Sequence, residues 1–190
     1  MVNPQAKVRI NLDRAVVLVV DNSLGLDILS SIFLGYGLRN LHRGRTVAEA
    51  MEIVQTYPID LIVMESLMPD EDVYDFVQTL RRADLDENRF APVVLLSAHT
   101  AVSRVKRGRD CGANFLISKP ISAKVLLERI LWVAREKRQF LETDTFVGPD
   151  RRFHDLGSPE GTVGRRKGDA AAKQAEDAAN SISLGDEDNL

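Results

Sequence analysis

The stretch DLIVMESLMPD, residues 60–70, decides the fold of this chain. Its apolar run from Leu61 to Met64 shows no alternation of polar and apolar residues, and Glu65 follows directly, before a turn at Pro69. A strand that is apolar throughout must be covered on both faces, which is typical of a parallel sheet between two layers of helices. The stretch therefore predicts a buried parallel strand that ends in a carboxylate.

The same unit recurs on both sides of this stretch, as short apolar runs that alternate with segments of helical period. The other predicted strands are AVVLVV (15–20), RNLHR (39–43), PVVLLS (92–97) and NFLIS (114–118). The predicted helices are LDILSSIFLGYG (26–37), TVAEAMEIVQTYP (46–58), DVYDFVQTLRRA (72–83), AVSRVKRGRDCG (101–112) and SAKVLLERILWVAREKRQFL (122–141). Thr46 and Glu49 form a capping box, and Gly112 closes the fourth helix. The order predicts an α/β fold, a doubly wound (βα)5 flavodoxin-like domain.

Composition predicts a soluble protein of the cytoplasm. The chain has 190 residues with a formal net charge of -3, and its single cysteine, Cys111, excludes an internal disulfide and a cysteine-based metal cluster. The opening residues are too polar for a signal peptide, and the run at 15–20 is far too short to span a bilayer.

The chain divides into three predicted regions, which are an N-terminal extension (1–13), the α/β domain (14–140) and a flexible tail (141–190). Half of the twelve glycines lie between Gly148 and Gly185, where apolar residues become sparse. The tail also holds 11 acidic against 6 basic residues. This composition is typical of disorder.

Polar side chains stand at four of the predicted strand ends, namely Asp21 with Asn22, then Glu65, Ser97 and Lys119. The carboxyl ends of parallel strands meet at one edge of the sheet, so we expect these side chains to converge. Oxygen ligands suit Mg²⁺, and a lysine with a hydroxyl suits phosphate oxygens. Taken singly, each residue has another interpretation, as a helix cap or a solvated lysine.

Residues 15 to about 138 resemble a receiver domain of bacterial two-component signalling, the CheY-like response-regulator fold. The motifs that carry the resemblance are VLVVDN, DLIVMESLMP, VVLLSAHT and GANFLISKP. The resemblance implies that Asp21 and Asn22 occupy the acidic-pair positions and Glu65 the phosphoacceptor position. It further implies that Ser97 and Lys119 occupy the positions that sense a phosphoryl group.

Four residues depart from the family pattern: Glu65 replaces aspartate, Asn22 a second acid, Val73 a glycine, and Leu116 an aromatic residue. The extra methylene of Glu65 displaces the nucleophile by about 1 Å, enough to cost about 100-fold in rate. Asn22 removes a charge from any Mg²⁺ site, which would be weak and held by Asp21 and Glu65. We therefore hypothesise a pseudo-receiver, with no catalytic residues and no required cofactor.

Two other functions remain as alternatives to this hypothesis. The first is a conventional single-domain response regulator, phosphorylated at Glu65 by a histidine kinase. The second, an enzyme on a flavodoxin-like scaffold, is disfavoured because no glycine-rich phosphate loop follows the first strand and no Ser-His elbow is recognisable. The three histidines, His42, His99 and His154, are scattered along the chain.

The tail contains two arginine pairs near aspartates and glycines, with the residues Asp150, Arg151, Arg152, Arg165, Arg166 and Asp169. Guanidinium groups bind phosphate and the guanine edge, and a carboxylate accepts from guanine N–H groups. The segment resembles the arginine-rich extensions of CheY-like cyclic di-GMP effectors, which implies a cyclic di-GMP ligand. The other interpretation is a solubilising linker with no specific ligand.

A protein partner is predicted at the face built from helix four, strand five and helix five, which the resemblance implies as a frequent contact surface. The resemblance further implies that the partner is a histidine kinase or a flagellar or motility component. Helix four carries the basic residues Arg104, Lys106, Arg107 and Arg109, suited to an acidic partner or to the chain's own terminus GDEDNL. Trp132 on helix five is expected to pack in the core. DNA binding is not predicted, because no helix-turn-helix pattern occurs and the tail is acidic. Membrane insertion is not predicted, because the longest apolar run is too short to span a bilayer.

Overall fold

Five parallel strands form one sheet in the computed structural model, which describes residues 12–98, 101–135 and 139–150. In the sheet order β2-β1-β3-β4-β5, the strands are β1 (Val16–Val20), β2 (Asn40–Gly44), β3 (Leu61–Glu65), β4 (Val93–Ser97) and β5 (Phe115–Ser118). The helices that follow them are α1 (Ser23–Gly35), α2 (Val47–Thr56), α3 (Val73–Arg82), α4 (Val102–Asp110) and α5 (Ala123–Arg135). A short 3-10 helix, Asp86–Phe90, precedes β4. The predicted doubly wound fold is confirmed.

Two apolar clusters, one on each face of the sheet, explain why the strands show no polar alternation. Leu18, Ile62 and Leu95 point into the cluster that α2 and α3 cover. Their strand neighbours point the other way, into the cluster that α1 and α5 cover. Each fully buried aliphatic side chain contributes about 1.5–3 kcal/mol relative to an exposed one. The sheet is therefore the central layer of a three-layer domain.

The boundaries of α2 follow the predicted capping signals. The Glu49 N–H donates to Thr46 Oγ1 over 3.0 Å, and the Glu49 carboxylate accepts from the Arg45 N–H over 2.7 Å. The reciprocal bond thus reaches Arg45, one residue before the cap. The helix ends at Thr56, two residues before Pro58, as the sequence predicts.

The end of the folded region differs from the prediction. Phe140–Glu142 forms a strand, β6, that pairs antiparallel with β7, Val147–Pro149. The predicted continuation of the last helix through Leu141 is therefore wrong at its end, and residues 141–150 of the predicted tail lie in the same compact unit as the sheet. Residues 1–11 of the predicted extension and 151–190 of the predicted tail lie outside the described residues.

A backbone contact between two glycines docks the β6–β7 hairpin on the turn that follows α4. Gly112 has φ +95°, a left-handed conformation that favours glycine, directly after the C-cap of the helix. A Cβ added at Gly148 would lie 2.7 Å from the Gly112 Cα. Glycine at both positions permits this approach, although Gly148 falls in the segment that the sequence predicts to be a flexible tail.

Arg81 lies at the centre of this contact region, fully buried at the end of α3. Its guanidinium donates to the carbonyl oxygens of Gly112 (3.0 Å), Arg89 (2.7 Å) and Ala91 (2.9 Å), and to Asn114 Oδ1 (3.1 Å). None of the described carboxylates pairs with it. Burial lowers the pKa of Arg81 to about 10, so the group remains charged at neutral pH.

Two further side chains complete the surroundings of Arg81. The Phe140 ring of β6 lies 5.2 Å from the guanidinium carbon, in cation–π geometry. Cys111 is buried on the other side of the turn, where its thiol donates to the Gly108 carbonyl over 3.0 Å. Burial raises the pKa of the Cys111 thiol to about 11. The hairpin is thus held by packing as well as by backbone contact.

Candidate functional site

The parallel register brings the predicted strand-end residues to one edge of the sheet. Asp21 follows β1, and Glu65 and Ser97 are the last residues of β3 and β4. Glu65 lies opposite Leu96, and Ser97 lies opposite Ser118, the residue before Lys119. Asp21, Glu65 and Ser97 are all buried, with Asp21 fully shielded and Glu65 8% exposed. The structure therefore places these side chains at the same edge of the sheet.

Lys119 is the centre of this pocket. Its ammonium lies 2.5 Å from Glu65 Oε2 and 3.0 Å from Asp21 Oδ2. One cation thus bridges two carboxylates that belong to different strands. The bridge ties β5 to β1 and β3 across the intervening β4, because the sheet order is β1-β3-β4-β5.

The pKa of Lys119 depends on two opposing effects, burial and the nearby carboxylates. Partial burial acts to lower it, but the hydrogen bonds and charges of Glu65 and Asp21 together outweigh burial. The result is a pKa raised above the ordinary lysine value. The lysine is therefore firmly protonated at neutral pH and remains a partner for both carboxylates.

Each carboxylate uses its second oxygen on a nearby donor. Glu65 Oε1 accepts from the Leu67 N–H over 3.1 Å and from the Ser66 hydroxyl over 3.4 Å. Asp21 Oδ1 accepts from the Asn22 N–H over 2.7 Å. All four carboxylate oxygens thus have donors within the protein.

Asn22 is turned away from this cluster to cap α1. Its side-chain oxygen accepts from the Gly25 N–H over 3.0 Å, and it is the N-cap residue of the helix. Gly25 itself is a site residue that sequence analysis misses. A Cβ at this position would collide with the Asp21 carboxylate, so glycine lets the first turn of α1 close over the pocket.

Comparison with known proteins decides what this pocket belongs to. The sequence model of the response regulator receiver domain family matches residues 16–131, more than half of the chain. This chain is a response regulator receiver.

Two curated relatives match this receiver over different shares of their length. DivK, a polar-differentiation response regulator of Brucella anthropi, is 29% identical over 117 residues, 62% of this chain and 93% of DivK. A protein named probable cyclic di-GMP phosphodiesterase, from Vibrio cholerae, is 27% identical over 131 residues. That match covers 67% of this chain but only 28% of the relative.

Solved structures agree with the fold of this receiver. The chemotaxis response regulator CheY4 of Vibrio cholerae has a TM-score of 0.56 and 25% sequence identity, and the match covers 63% of this chain and 98% of CheY4. The HemR receiver domain of Leptospira biflexa gives a TM-score of 0.57 at 22% identity over 67% of this chain. The match to the family model ends at residue 131, before the β6–β7 hairpin begins at Phe140.

Receiver domains commonly bind Mg²⁺ at the phosphorylation site, and in this receiver Asp21 and Glu65 are the residues that would hold the ion. These two carboxylates both bond to the Lys119 ammonium, and the Asn22 amide oxygen is engaged with the backbone of α1. Among residues 12–98, 101–135 and 139–150, no three His, Cys, Asp or Glu side chains are arranged to hold a metal. A divalent ion would have to displace the lysine.

The other departures from the family pattern are apolar positions that pack tightly. Val73 is the first residue of α3 and is buried in the core. Leu116 lies against α4, where a Cβ on Gly108 would be 2.8 Å from its Cδ1. The aliphatic side chain of Leu116 therefore packs against a glycine of the helix.

The predicted partner face has both charged and apolar exposed residues. Arg107 of α4 pairs with Asp72 and lies over the Tyr74 ring, 4.7 Å from its centroid. Val102, at the start of the helix, is 85% exposed. Trp132 is partly buried and packs edge-on against Phe115, 5.3 Å between ring centroids, in agreement with the predicted core role.

Of the predicted nucleotide-binding residues, only Asp150 lies in the described part of the chain. Its backbone N–H donates to the Gln139 carbonyl over 2.8 Å, which extends the hairpin ladder by one bond. The others, Arg151, Arg152, Arg165, Arg166 and Asp169, lie outside the described residues, as does His99. Among the described residues no helix is long and apolar enough to cross a membrane.

Proposed function

We propose that this receiver is a phosphorylation-independent adaptor, a pseudo-receiver whose output is a contact with another protein. The observation that carries the proposal is the Lys119 bridge to Glu65 and Asp21. The lysine that would meet an incoming phosphoryl group already has two carboxylate partners. Glu65 thus supplies a fixed negative charge at the lysine without modification.

The chemistry of phosphoryl transfer supports this proposal. A carboxylate nucleophile needs a free oxygen in line with phosphorus, and both oxygens of Glu65 accept hydrogen bonds within the protein. Metal assistance needs an open carboxylate cluster, and this pocket supplies two carboxylates already neutralised by one ammonium. The pocket is built to hold a charge rather than to accept a group.

Incubation with acetyl phosphate or beryllofluoride and Mg²⁺ tests the proposal. We expect the intact mass and the amide NMR spectrum of the wild-type chain to stay unchanged. The paired substitution Asn22→Asp and Glu65→Asp shortens the nucleophile and returns the second acid, so this variant should take up beryllofluoride. Its response provides the positive control for the same fold.

Stoichiometric modification of wild-type Glu65 would contradict the proposal. It would instead support the conventional response regulator, phosphorylated at the strand-three acid by a histidine kinase. The single variant Glu65→Gln tests whether a modification is at Glu65, since its amide cannot accept a phosphoryl group and the added mass should then be absent.

We also infer that the arginine pairs of the tail bind cyclic di-GMP. The support is the sequence motif, in which guanidinium groups, aspartates and glycines lie close together in the chain. A relative whose name includes cyclic di-GMP matches this chain only over a minor share of its own length, so its activity is not carried over. In this proposal the nucleotide replaces phosphorylation as the input.

Isothermal titration of cyclic di-GMP into the full chain and into a 1–150 truncation tests the inference. The truncation keeps β7, which a cut at 140 would remove. We expect heat only with the full chain. Replacing Arg151, Arg152, Arg165 and Arg166 by lysine keeps the charge but removes the bidentate fork, so binding should fall. Equal binding by the lysine variant would indicate nonspecific charge attraction.

The proposed partner is a protein that meets the α4–β5–α5 face, such as a histidine kinase or a motility component. We propose a cytoplasmic signalling role rather than an enzymatic one. The exposed Val102 and the basic side chains of α4 support an acidic partner with an apolar contact. Val102→Asp should weaken capture of that partner without changing the stability of the receiver.

A further inference from the structure

A groove of about 990 Å³ lies between the end of α2 and the segment that joins α3 to β4. It opens at the end of the sheet opposite to the Lys119 pocket, because it is lined by residues that precede β3 and β4. The lining residues are Val54, Gln55, Thr56, Tyr57, Pro58, Asp84, Leu85, Glu87, Asn88 and Phe90. No part of this groove is used by the proposed function.

All formal charge in the lining is negative. Asp84 and Glu87 are exposed, and neither forms an ion pair with any of the described residues. The C-terminal end of α2 also faces the groove, and its last turn has no basic residue to offset the partial negative charge at this end of the helix. The groove therefore attracts cations.

Two exposed aromatic rings stand in the same lining. Tyr57 is 47% exposed and Phe90 is 49% exposed. Each ring already has a neighbour, since the guanidinium of Arg89 lies 5.0 Å from the Phe90 centroid and the His42 ring lies 4.4 Å from the Tyr57 ring, so only the exposed part of each ring is open to a partner. Aromatic faces beside carboxylates are a suitable surface for an arginine or lysine side chain.

Asn88 fixes the floor of the groove. Its amide donates to the Val54 carbonyl over 2.6 Å and to the Tyr57 carbonyl over 2.7 Å, and its oxygen accepts from the Ile59 N–H over 2.8 Å. This buried side chain ties the 3-10 helix to the end of α2. The two walls are thus held at a fixed separation before any ligand arrives, which lowers the entropic cost of binding.

We propose that this groove binds an extended peptide segment of a partner protein that carries arginine side chains. The carboxylates of Asp84 and Glu87 attract the guanidinium groups, and the exposed parts of the Tyr57 and Phe90 rings provide apolar contact. The surface is separate from the basic α4 face, so the receiver offers an acidic and a basic docking surface at once. An acidic partner and an arginine-bearing partner can therefore bind together.

Fluorescence anisotropy with a short fluorescein-labelled peptide of alternating glycine and arginine tests the proposal on the full chain at low ionic strength. Asp84→Asn with Glu87→Gln should weaken binding about five- to tenfold, as expected for two exposed charges. The matched control, Asp70→Asn with Glu128→Gln, removes the same charge elsewhere and should change binding less than about twofold. Amide shifts on titration should centre on Tyr57, Leu85 and Phe90.

Three outcomes would overturn the proposal. Equally weakened peptide binding in both double variants would show that the peptide responds only to the net charge of the receiver. Unchanged groove amides during the titration would place the peptide elsewhere. A change in the sedimentation of the unliganded chain caused by Asp84→Asn with Glu87→Gln would identify a second copy of the receiver as the occupant.

Discussion

Two cations, the partly buried Lys119 and the fully buried Arg81, are held in opposite ways in this receiver. Lys119 lies between two carboxylates and has a raised pKa, whereas Arg81 has four neutral oxygen acceptors and a lowered pKa. The first arrangement is an ion-pair network at the edge of the sheet. The second is a hydrogen-bonded cage at the junction of α3, the turn after α4 and the hairpin.

The difference separates a cation with charged partners from a cation with neutral partners. A cation paired with carboxylates responds to any change in the charge of its partners. A guanidinium that satisfies neutral oxygen acceptors fixes the chain path, and none of the described carboxylates pairs with Arg81. The losses of unfolding free energy caused by substitutions at these two positions should therefore differ in size and in pH dependence.

The largest expected effect is that of Arg81→Met. The substitution leaves the carbonyls of Gly112, Arg89 and Ala91 without their donor, and unsatisfied buried acceptors are costly. We expect the free energy of unfolding to fall by about 4 kcal/mol, measured by urea denaturation. Arg82→Met, at the exposed neighbouring position, should change it by less than about 0.5 kcal/mol. Similar losses at both positions would refute the structural role of the cage.

Lys119→Met should have the next largest effect, because it leaves two buried carboxylates facing each other. We expect a loss of about 2–3 kcal/mol, between the values for exposed and fully buried pairs. Combining it with Glu65→Gln should recover part of this loss, since one uncompensated charge is removed. Additive losses in the double-mutant cycle would show that the ion pair is not a coupled unit.

The same variant has a signature in pH. Folding raises the pKa of Lys119, so its contribution is fully present below the ordinary lysine pKa and is lost as pH rises through the folded-state value. The difference in unfolding free energy between wild type and Lys119→Met should stay constant from about pH 7 to about pH 10 and narrow above it. A difference that instead grows above that pH would contradict the assigned charge state.

Gly148→Ala tests how firmly the hairpin sits on the turn that Arg81 holds. The new methyl group would lie 2.7 Å from the Gly112 Cα, which forces the two backbones apart. We expect a stability loss of about 1–2 kcal/mol and faster hydrogen exchange at the amides of β6 and β7. Gly35→Ala, where no atom lies within 4 Å of the added methyl group, provides the neutral control.

The smallest expected effect concerns Asn22, next to the Lys119 pocket. Asn22→Ala removes the N-cap of α1 and should cost about 1 kcal/mol in thermal unfolding experiments. Asn22→Asp keeps an oxygen acceptor for the Gly25 N–H and should preserve stability. A larger loss with aspartate than with alanine would mean that the added charge, rather than the cap, governs this position.

Sequence reasoning succeeds where one residue type has one local role. The apolar run from Leu61 to Met64 defines a strand buried on both faces, and Thr46 with Glu49 fixes the start of α2. The strand-end position of Glu65 and Lys119 follows from the parallel sheet, which is why their proximity is predictable. The distance between the Lys119 ammonium and the Glu65 carboxylate is not predictable, since it depends on side-chain reach and on the hydrogen bonds that Glu65 accepts from Leu67 and Ser66.

Sequence reasoning fails where a residue acts through distant parts of the chain. Arg81 and Arg82 form a pair typical of a solvated helix end, yet one is buried and the other exposed. Phe140 continues a helical pattern but lies in a strand, because the Phe90 ring and the Arg81 guanidinium offer it a packing site. Such contacts join segments separated by dozens of residues and leave no periodic signal.

The reactivity of the Cys111 thiol can report local opening of the receiver. Cys111 is the single thiol of the chain, and its burial beside Arg81 together with its pKa of about 11 keeps it unreactive toward disulfide reagents at neutral pH. The rate at which such a reagent modifies the native protein therefore measures how often the turn after α4 opens. A change in that rate on ligand binding would show that binding at another surface alters how often this turn opens.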